Sequence, residues 1–321
     1  MKLEEYKSLE EKENVFARKT IKTTSEFDTW YDSISKQEGL VFRGMCEAKW
    51  KIYTSAQREW ITKEYKNNIS SYSAYIDKIL QRIKQDTLLQ RYFKSFNVKA
   101  NDLLYLCFLQ HYSCPTPMLD FTYNKDIALF FATEGIKQCP FRLKKSISNY
   151  LSLYYIDFNE GNNKNQIVHI DALLNDLLKK AKELREKYPK ADFSLVENIE
   201  ETVRWHQQQG DGFEKISLCF IPSPEKSEPV ETLSNESLYW VNPNIIAQEG
   251  CLFLYNNERL PFENMVLKKD TFNITKIHCV DIHKSLVEYI QSKIKKSSDD
   301  IYPTFKQRTQ QSYNDFKKTL K

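Results

Sequence analysis

Glycine is scarce in this chain, and that scarcity constrains the fold more than any other feature. There are 7 glycines in 321 residues, where an ordinary protein has roughly 7%. A collagen-like chain, a Gly-rich linker protein and a dinucleotide-binding enzyme built on a G-x-G-x-x-G loop are all excluded. No Walker A pattern of glycines is present. The remaining composition is that of an ordinary folded protein, 41% hydrophobic and 28% charged, with 19 Phe, 19 Tyr and 5 Trp to build a core.

Apolar runs such as Ile127 to Ala132 fall far short of the roughly 20 residues that a transmembrane helix needs, so no membrane association is expected. The N-terminus, Met1 to Lys7, is charged and lacks an apolar stretch, which argues against a secretory leader. The 7 cysteines are scattered, odd in number and without C-x-x-C, which reads as reduced thiols in a cytoplasmic protein. Net charge is +4, too mild to imply nucleic acid by itself. From Lys284 onward there are nine Lys/Arg against four Asp/Glu, a basic tail of the kind most often found on a solvated helix face.

No internal repeat and no Pro/Ser/Gly-rich linker divides the chain. The expected organisation is an N-terminal helix or arm over residues 1–24, one domain over 25–300, and a basic tail over 301–321. Phe27, Trp30, Tyr31 and Ile34 share one face of a helix opening near Ser25, which Gly39 would end. Leu40 to Gly44 reads as a strand. The apolar positions from Ser71 to Phe96 recur at helical period. A buried helix is expected from Asp102 to Tyr112, stopped by Pro115 and Pro117. Asn124 is the expected cap of a helix running from Lys125 to Gln138. Further strands are expected at 151–158, 215–221, 238–241, 251–255 and 276–282, with helices at 171–188 and 285–295. Helices dominate the first half and strands the second, which predicts an α+β fold: a helical N-terminal half on a central, mostly antiparallel or split β-sheet.

The densest polar cluster runs from Leu109 to Thr122. Gln110 and His111 end a buried helix, a Pro-rigid loop follows, and Asp120 sits between Leu119 and Phe121. Polar groups at such a junction are either hydrogen-bonded within the fold or presented to a ligand. The ordinary reading is that Asp120 caps a turn and His111 bonds a backbone carbonyl. Two other readings use the same stretch. Cys107, His111 and Cys114 give C-x3-H-x2-C, to which Asp120 could add a fourth metal ligand, although a buried thiol is the usual explanation for Cys107. Trp50, Tyr53, Arg58, Trp60 and Lys63 interleave rings with bases, as single-strand binders do. A nuclease using His111 and Asp120 would rest on those two residues alone.

The chain resembles the FRG domain, a family named for its Phe-Arg-Gly motif and widespread in bacterial and phage proteins. Four pieces carry the resemblance: Val41-Phe42-Arg43-Gly44; Trp50 to Arg58; Leu109 to Tyr112 continuing through Leu119-Asp120-Phe121-Thr122 to Ala132; and Ile246-Ala247-Gln248-Glu249-Gly250. Pro117 departs from the pattern, which would place a basic residue after Pro115-Thr116. A weaker resemblance is to ADP-ribosyltransferases, which order an aromatic-Arg-Gly strand, a strand ending in Ser/Thr followed by an Ala-rich helix, and a late strand bearing a catalytic Glu.

That second resemblance implies NAD as cofactor and an unidentified protein or nucleic-acid acceptor, as in a toxin or antiphage effector. It implies that Arg43 and Gly44 lie at the pyrophosphate, where a guanidinium bonds phosphate bidentately. Thr122 would hold the ribose or support the glutamate, Gln248 would be a further cofactor-binding residue, and Tyr112 or Phe121 would stack on nicotinamide. Glu249 would bond the ribose 2′-hydroxyl and stabilise positive charge as nicotinamide leaves, and His111 or Asp120 would activate the acceptor. The alternative is a non-catalytic module binding a phosphate-bearing ligand. Arg43 has an internal reading as well, an ion pair with Asp120.

Overall fold

A computed structural model describes residues 2–95, 102–136, 146–160, 243–266 and 276–304, with short pieces at 168–169, 179, 182–183, 185–188, 217–220, 309–310 and 313–314. Its centre is a mixed sheet. In chain order the strands are β1 (Ala17–Ile21), β2 (Leu40–Met45), β3 (Met118–Thr122), β4 (Tyr150–Asp157), β5 (Val168–His169), β6 (Ser217–Phe220), β7 (Gly250–Leu254) and β8 (His278–His283). In space the order is β1-β8-β4-β2-β3-β7-β6-β5. Two neighbouring pairs, β1–β8 and β6–β7, are parallel; the others are antiparallel.

The sheet is nearly split in the middle. β2 pairs with β4 over six residues and β3 with β7 over five, but β2 and β3 meet only at Phe42 and Thr122. Strand alternation sorts the motif residues. Phe42 joins the cluster of Phe27, Trp30, Leu129 and Ile290, whereas Val41 on the opposite face joins that of Phe121, Tyr154 and Phe253. Arg43, paired with Tyr154 across the ladder, shares Val41's face.

Helices cover both faces. The expected helix near Ser25 is α2 (Thr24–Ile34), opened by a reciprocal Thr23–Glu26 capping box with Phe27, Trp30 and Ile34 buried. The shorter α1 (Leu9–Glu13) precedes it. A helical layer follows: α3 (Ser55–Thr62), α4 (Tyr72–Lys84), α5 (Thr87–Ser95) and α6 (Asp102–His111). Next comes α7 (Lys125–Thr133), whose cap is Asn124 as expected. Beyond it lie α8 (Pro243–Ala247), α9 (Phe262–Val266), α10 (Val287–Ile294) and α11 (Ser298–Ile301).

Three elements differ from expectation. The helix read over Ser71 to Phe96 is two helices, because the Asp86 carboxylate accepts the Leu88 and Leu89 backbone N–H groups and starts α5 afresh. Residues 1–24, read as a helix or arm, contain β1. This strand lacks a clean alternation and is held by pairing with β8 and by Arg18 bonding Asp281 at 2.6 Å. The α7 helix stops at Thr133, with Gly135 at φ +68 close behind. The strand expected at 238–241 and most of the helix expected at 171–188 lie outside the described residues. No described helix is long and apolar enough to cross a membrane.

Gly44 sets how closely helix and sheet approach. A Cβ there would lie 1.8 Å from the Ala128 carbonyl oxygen and 2.8 Å from the Ala132 nitrogen, both backbone atoms of α7. Neither atom can swing aside, so only glycine admits α7 against β2. Gly44→Ala is expected to cost about 3 kcal/mol or more, the overpacking range for a site that cannot relax, read as a lower midpoint in urea unfolding.

Two buried polar groups tie the N-terminal residues to the sheet. Lys12, fully buried, donates to Asp281 at 2.5 Å and to Ser152 at 2.8 Å. Glu263, also fully buried, accepts from the Tyr6 hydroxyl at 2.6 Å and from the Ile52 N–H at 3.2 Å. Burial pushes the Glu263 carboxyl up to about 7, against the opposing pull of Tyr6, Ile52 and Lys51. The folded acid therefore keeps a proton that the unfolded one releases near 4.5. Between those values the native state binds more protons, and stability falls as pH rises. Glu263→Gln is expected to flatten that segment of the stability–pH profile, measured by denaturant titration across the window.

Candidate functional site

Where β2 and β3 part, the edges of the two strands need satisfying from elsewhere. Arg43 does this for one group, its Nη1 donating to the Asp120 carbonyl oxygen at 2.6 Å. The opening forms a cleft of about 360 Å³, within the usual range for small-molecule sites. Arg43, Gly44 and Cys46 line it from the first strand and its exit, and Asp120, Phe121 and Thr122 from the second. Gln110, His111 and Ser113 come from the end of α6 and its loop; Trp50 and Arg58 from the connection into α3 and from α3 itself. The far wall is Phe131 of α7, Asn244 and Gln248 around α8, and Tyr302 after α11.

Among the described lining residues, Asp120 supplies the one carboxylate. Its Oδ2 accepts from Gln110 Nε2 at 2.6 Å, and Gln110 Oε1 in turn accepts from the Thr116 hydroxyl. Thr116 N–H donates to Ser55 Oγ at 2.9 Å, which runs the chain back to α3. The carboxylate is thus held by a side-chain relay and not by Arg43, whose bond is to the backbone. The internal ion pair raised from the sequence is replaced by a carbonyl contact.

The cations outnumber that carboxylate. Burial lowers the Arg43 pKa; Asp120 opposes the shift and Arg58 adds to it. Arg58, which bonds the Tyr53 carbonyl at 3.0 Å, is also lowered by burial, with Asp120 and Glu59 opposing. Burial lowers His111 too, against the pull of Asp120. Two polar atoms facing this region are buried without a hydrogen-bond partner among the described residues, Arg43 Nε and His111 Nε2. Native proteins rarely leave such atoms unpaired away from binding sites.

Of the residues singled out in the sequence, the fold brings Arg43, Gly44, His111, Asp120, Phe121, Thr122 and Gln248 into one lining. It does not bring Glu249 or Tyr112. Glu249 sits at φ +44 in the turn before β7 and accepts from Asn124 Nδ2 at 2.8 Å. Asn124 Oδ1 meanwhile caps α7 through Asp126 N–H. The Glu249 carboxylate therefore steadies a helix N-terminus beside the cleft, outside its described lining. Tyr112 is half exposed and packs on Phe108, ring centroids 4.7 Å apart, outside the lining.

Thr122 and Gln248 are present but committed. The Thr122 hydroxyl donates to the Gln248 carbonyl at 2.7 Å and accepts from Asn124 N–H. Gln248 Nε2 donates to the Ile301 carbonyl at 3.2 Å. Phe121 turns its ring onto Phe253, 4.4 Å between centroids, within the core. The interleaved aromatic and basic stretch also divides. Tyr53 and Trp60 are buried, while Trp50 and Arg58 reach the cleft. Gln57 is consumed by the α3 capping box and the Leu260 carbonyl. Cys107 packs in the apolar cluster under α6, and among the described residues no group of three His, Cys, Asp or Glu is placed to hold a metal. Asn244 and Tyr302 carried no signal in the sequence, since they reach the cleft only through the chain's path after residue 242.

A split mixed sheet with a cationic, aromatic-walled cleft at the split is the class of protein that fold and site define. Residues 38–139 match the model of the FRG domain, so the chain contains an FRG domain. That span runs from just before β2 to just beyond α7. It supplies Arg43, Trp50, Arg58, Gln110, His111 and Asp120, while Asn244, Gln248 and Tyr302 come from outside it. No curated protein and no solved structure matches the chain.

The depressed His111 pKa makes a local test. Its imidazole is expected to titrate below the ordinary 6.5, followed by NMR. Asp120→Asn removes the charge that pulls the value upward, so the midpoint is expected to move further down.

Proposed function

We propose that this FRG-domain protein binds a phosphate-bearing nucleotide of the NAD class in the β2–β3 cleft and acts on it as an ADP-ribosyltransferase-like enzyme. The observation that carries the reading is the charge balance of the cleft among the described residues: the guanidiniums of Arg43 and Arg58 against the carboxylate of Asp120, with Arg43 Nε and His111 Nε2 buried without a hydrogen-bond partner there. A guanidinium is suited to phosphate oxygens by its planar fork of donors. The strand order adds support. β2 with its Phe-Arg-Gly, β3 ending in Thr122, and β7 following Gln248-Glu249 are adjacent in the sheet, and Phe42, Thr122 and Gly250 fall in one row across it.

When bound, NAD supplies a pyrophosphate, two riboses and a nicotinamide leaving group. Arg43 and Arg58 are the residues that would hold the pyrophosphate. Asp120, oriented by Gln110, is the anion available to meet positive charge at the ribose, a role that the resemblance gave to Glu249. His111, neutral at pH 7 by its lowered pKa, is the base available to take a proton from an acceptor. The acceptor is a protein or nucleic acid, and the physiological role on this reading is that of a toxin or antiphage effector. The second reading, a non-catalytic module for a phosphate-bearing ligand, is favoured by the engagement of Glu249 with Asn124.

Calorimetry with NAD tests the reading. The wild type is expected to bind saturably in the micromolar range. Arg58→Ala is expected to weaken binding about tenfold, the worth of one charge-assisted hydrogen bond, with circular dichroism unchanged. Glu249→Ala is expected to leave affinity nearly unaltered. No heat from wild type at millimolar NAD rejects the NAD reading. Asp120→Asn separates the two alternatives: it abolishes nicotinamide release if the protein is an enzyme, whereas a binding module shows no release in the first place.

A further inference from the structure

Trp50 is held where a fold would not otherwise place it. It is 41% exposed, whereas Trp30 and Trp60 are 3% and 5% exposed. It lines the cleft, and its ring has no aromatic or cationic partner among the described residues. Its backbone, by contrast, is anchored on all sides. Trp50 bridges Glu5 and donates its N–H to the Glu47 carbonyl at 3.2 Å. The neighbouring Lys49 carbonyl accepts from Tyr6 N–H at 2.8 Å, and Ala48 N–H reaches the Tyr150 carbonyl at 2.9 Å. Ala48 and Ile52, on either side, are fully buried. A rigid segment thus presents a large flat ring to the cleft, which lowers the entropy lost when a ligand stacks on it.

The same cleft carries Arg43, Arg58 and His111. Anion-binding groups and a free aromatic face in one cavity match a ligand that has both a phosphate and a planar ring. We infer that Trp50 is the stacking platform for the base of the bound nucleotide and makes the cleft select base-bearing phosphates over phosphates alone. This rests on the nucleotide reading above and adds a residue that neither resemblance assigned to a nucleotide. Base–aromatic stacking needs only a π-face on the ligand and tolerates different bases, so the discrimination falls between base and no base.

The experiment titrates the full chain with ADP-ribose and, separately, with inorganic pyrophosphate. Wild type is expected to prefer ADP-ribose. Trp50→Ala is expected to weaken ADP-ribose about tenfold or more, the usual loss of a stacked ring, and to leave pyrophosphate unchanged. Trp50→Phe, which keeps a ring and guards against a folding defect, is expected to stay within about threefold of wild type. The inference is overturned if Trp50→Ala binds ADP-ribose like wild type, or if it loses both probes in the same proportion. Wild type that binds pyrophosphate without preferring ADP-ribose overturns it too, while leaving the phosphate site standing. Wild type that binds neither probe removes the nucleotide reading itself, and the role of Trp50 with it.

Discussion

The bond from Arg43 to the Asp120 carbonyl is the interaction on which the site depends. β2 and β3 share one ladder pair, so the strands diverge immediately beyond Phe42 and Thr122. A buried carbonyl left without a partner costs about 1–3 kcal/mol. A guanidinium reaching across the gap offsets that cost and holds the two halves of the sheet at a fixed separation. It uses Nη1 for this bond and leaves Nε unpartnered. One side chain thus spans the split and brings charge into it, so deleting it would disturb the sheet as well as the charge of the cleft. Arg58, whose side chain among the described residues bonds the Tyr53 carbonyl at its own helix entry, lacks that double duty.

Each half of the sheet is fastened separately. On the β4–β8 side, Asp281 is fully buried and takes bonds from Lys12, Ser152 and Arg18. Desolvating such a cluster largely cancels its Coulomb attraction, so its net stabilisation is small. Removing one member strands a buried charge at a cost of about 3–5 kcal/mol. Its effect is to permit one docking of the N-terminal segment. That docking matters for the cleft, because Tyr6 and Glu5 anchor the loop that displays Trp50. The chain's first residues and the cleft wall are mechanically one unit.

What the sequence revealed follows from the range of the forces involved. Period and capping are local, and they located α2, β2, β4, α7 and its cap Asn124. Local signals also predicted one long helix across Asp86, because apolar spacing continues through a break that a single carboxylate imposes. β1 was invisible: its residues alternate poorly, and its place is set by Asp281, more than 250 positions away. The cleft was legible to the extent that its residues sit in short polar motifs, Arg43 in Phe-Arg-Gly and His111 and Asp120 in the cluster from Leu109 to Thr122. Glu249 lies outside the described lining because a left-handed turn directs its carboxylate to Asn124, a contact no spacing rule contains. Trp50 sat in plain view among interleaved aromatics and bases, yet its exposure is decided by the buried residues flanking it.

The Phe-Arg-Gly tripeptide divides its labour along the strand's two-residue period. Phe42 and Gly44 face α7, one filling the core and the other removing a side chain so that the helix backbone can close in. Arg43 faces the other way, toward the split. Two of the three residues therefore serve helix–sheet packing, and that packing places α7, whose Phe131 becomes a wall of the cleft. A match to this motif reports the geometry first and a chemistry only through its middle residue. Chemistry at such a cleft is decided by what the rest of the chain adds opposite Arg43. Here those additions are Arg58, the Gln110-held Asp120, His111 and Trp50, which places two guanidiniums, an imidazole, a carboxylate and an exposed aromatic ring around one cleft.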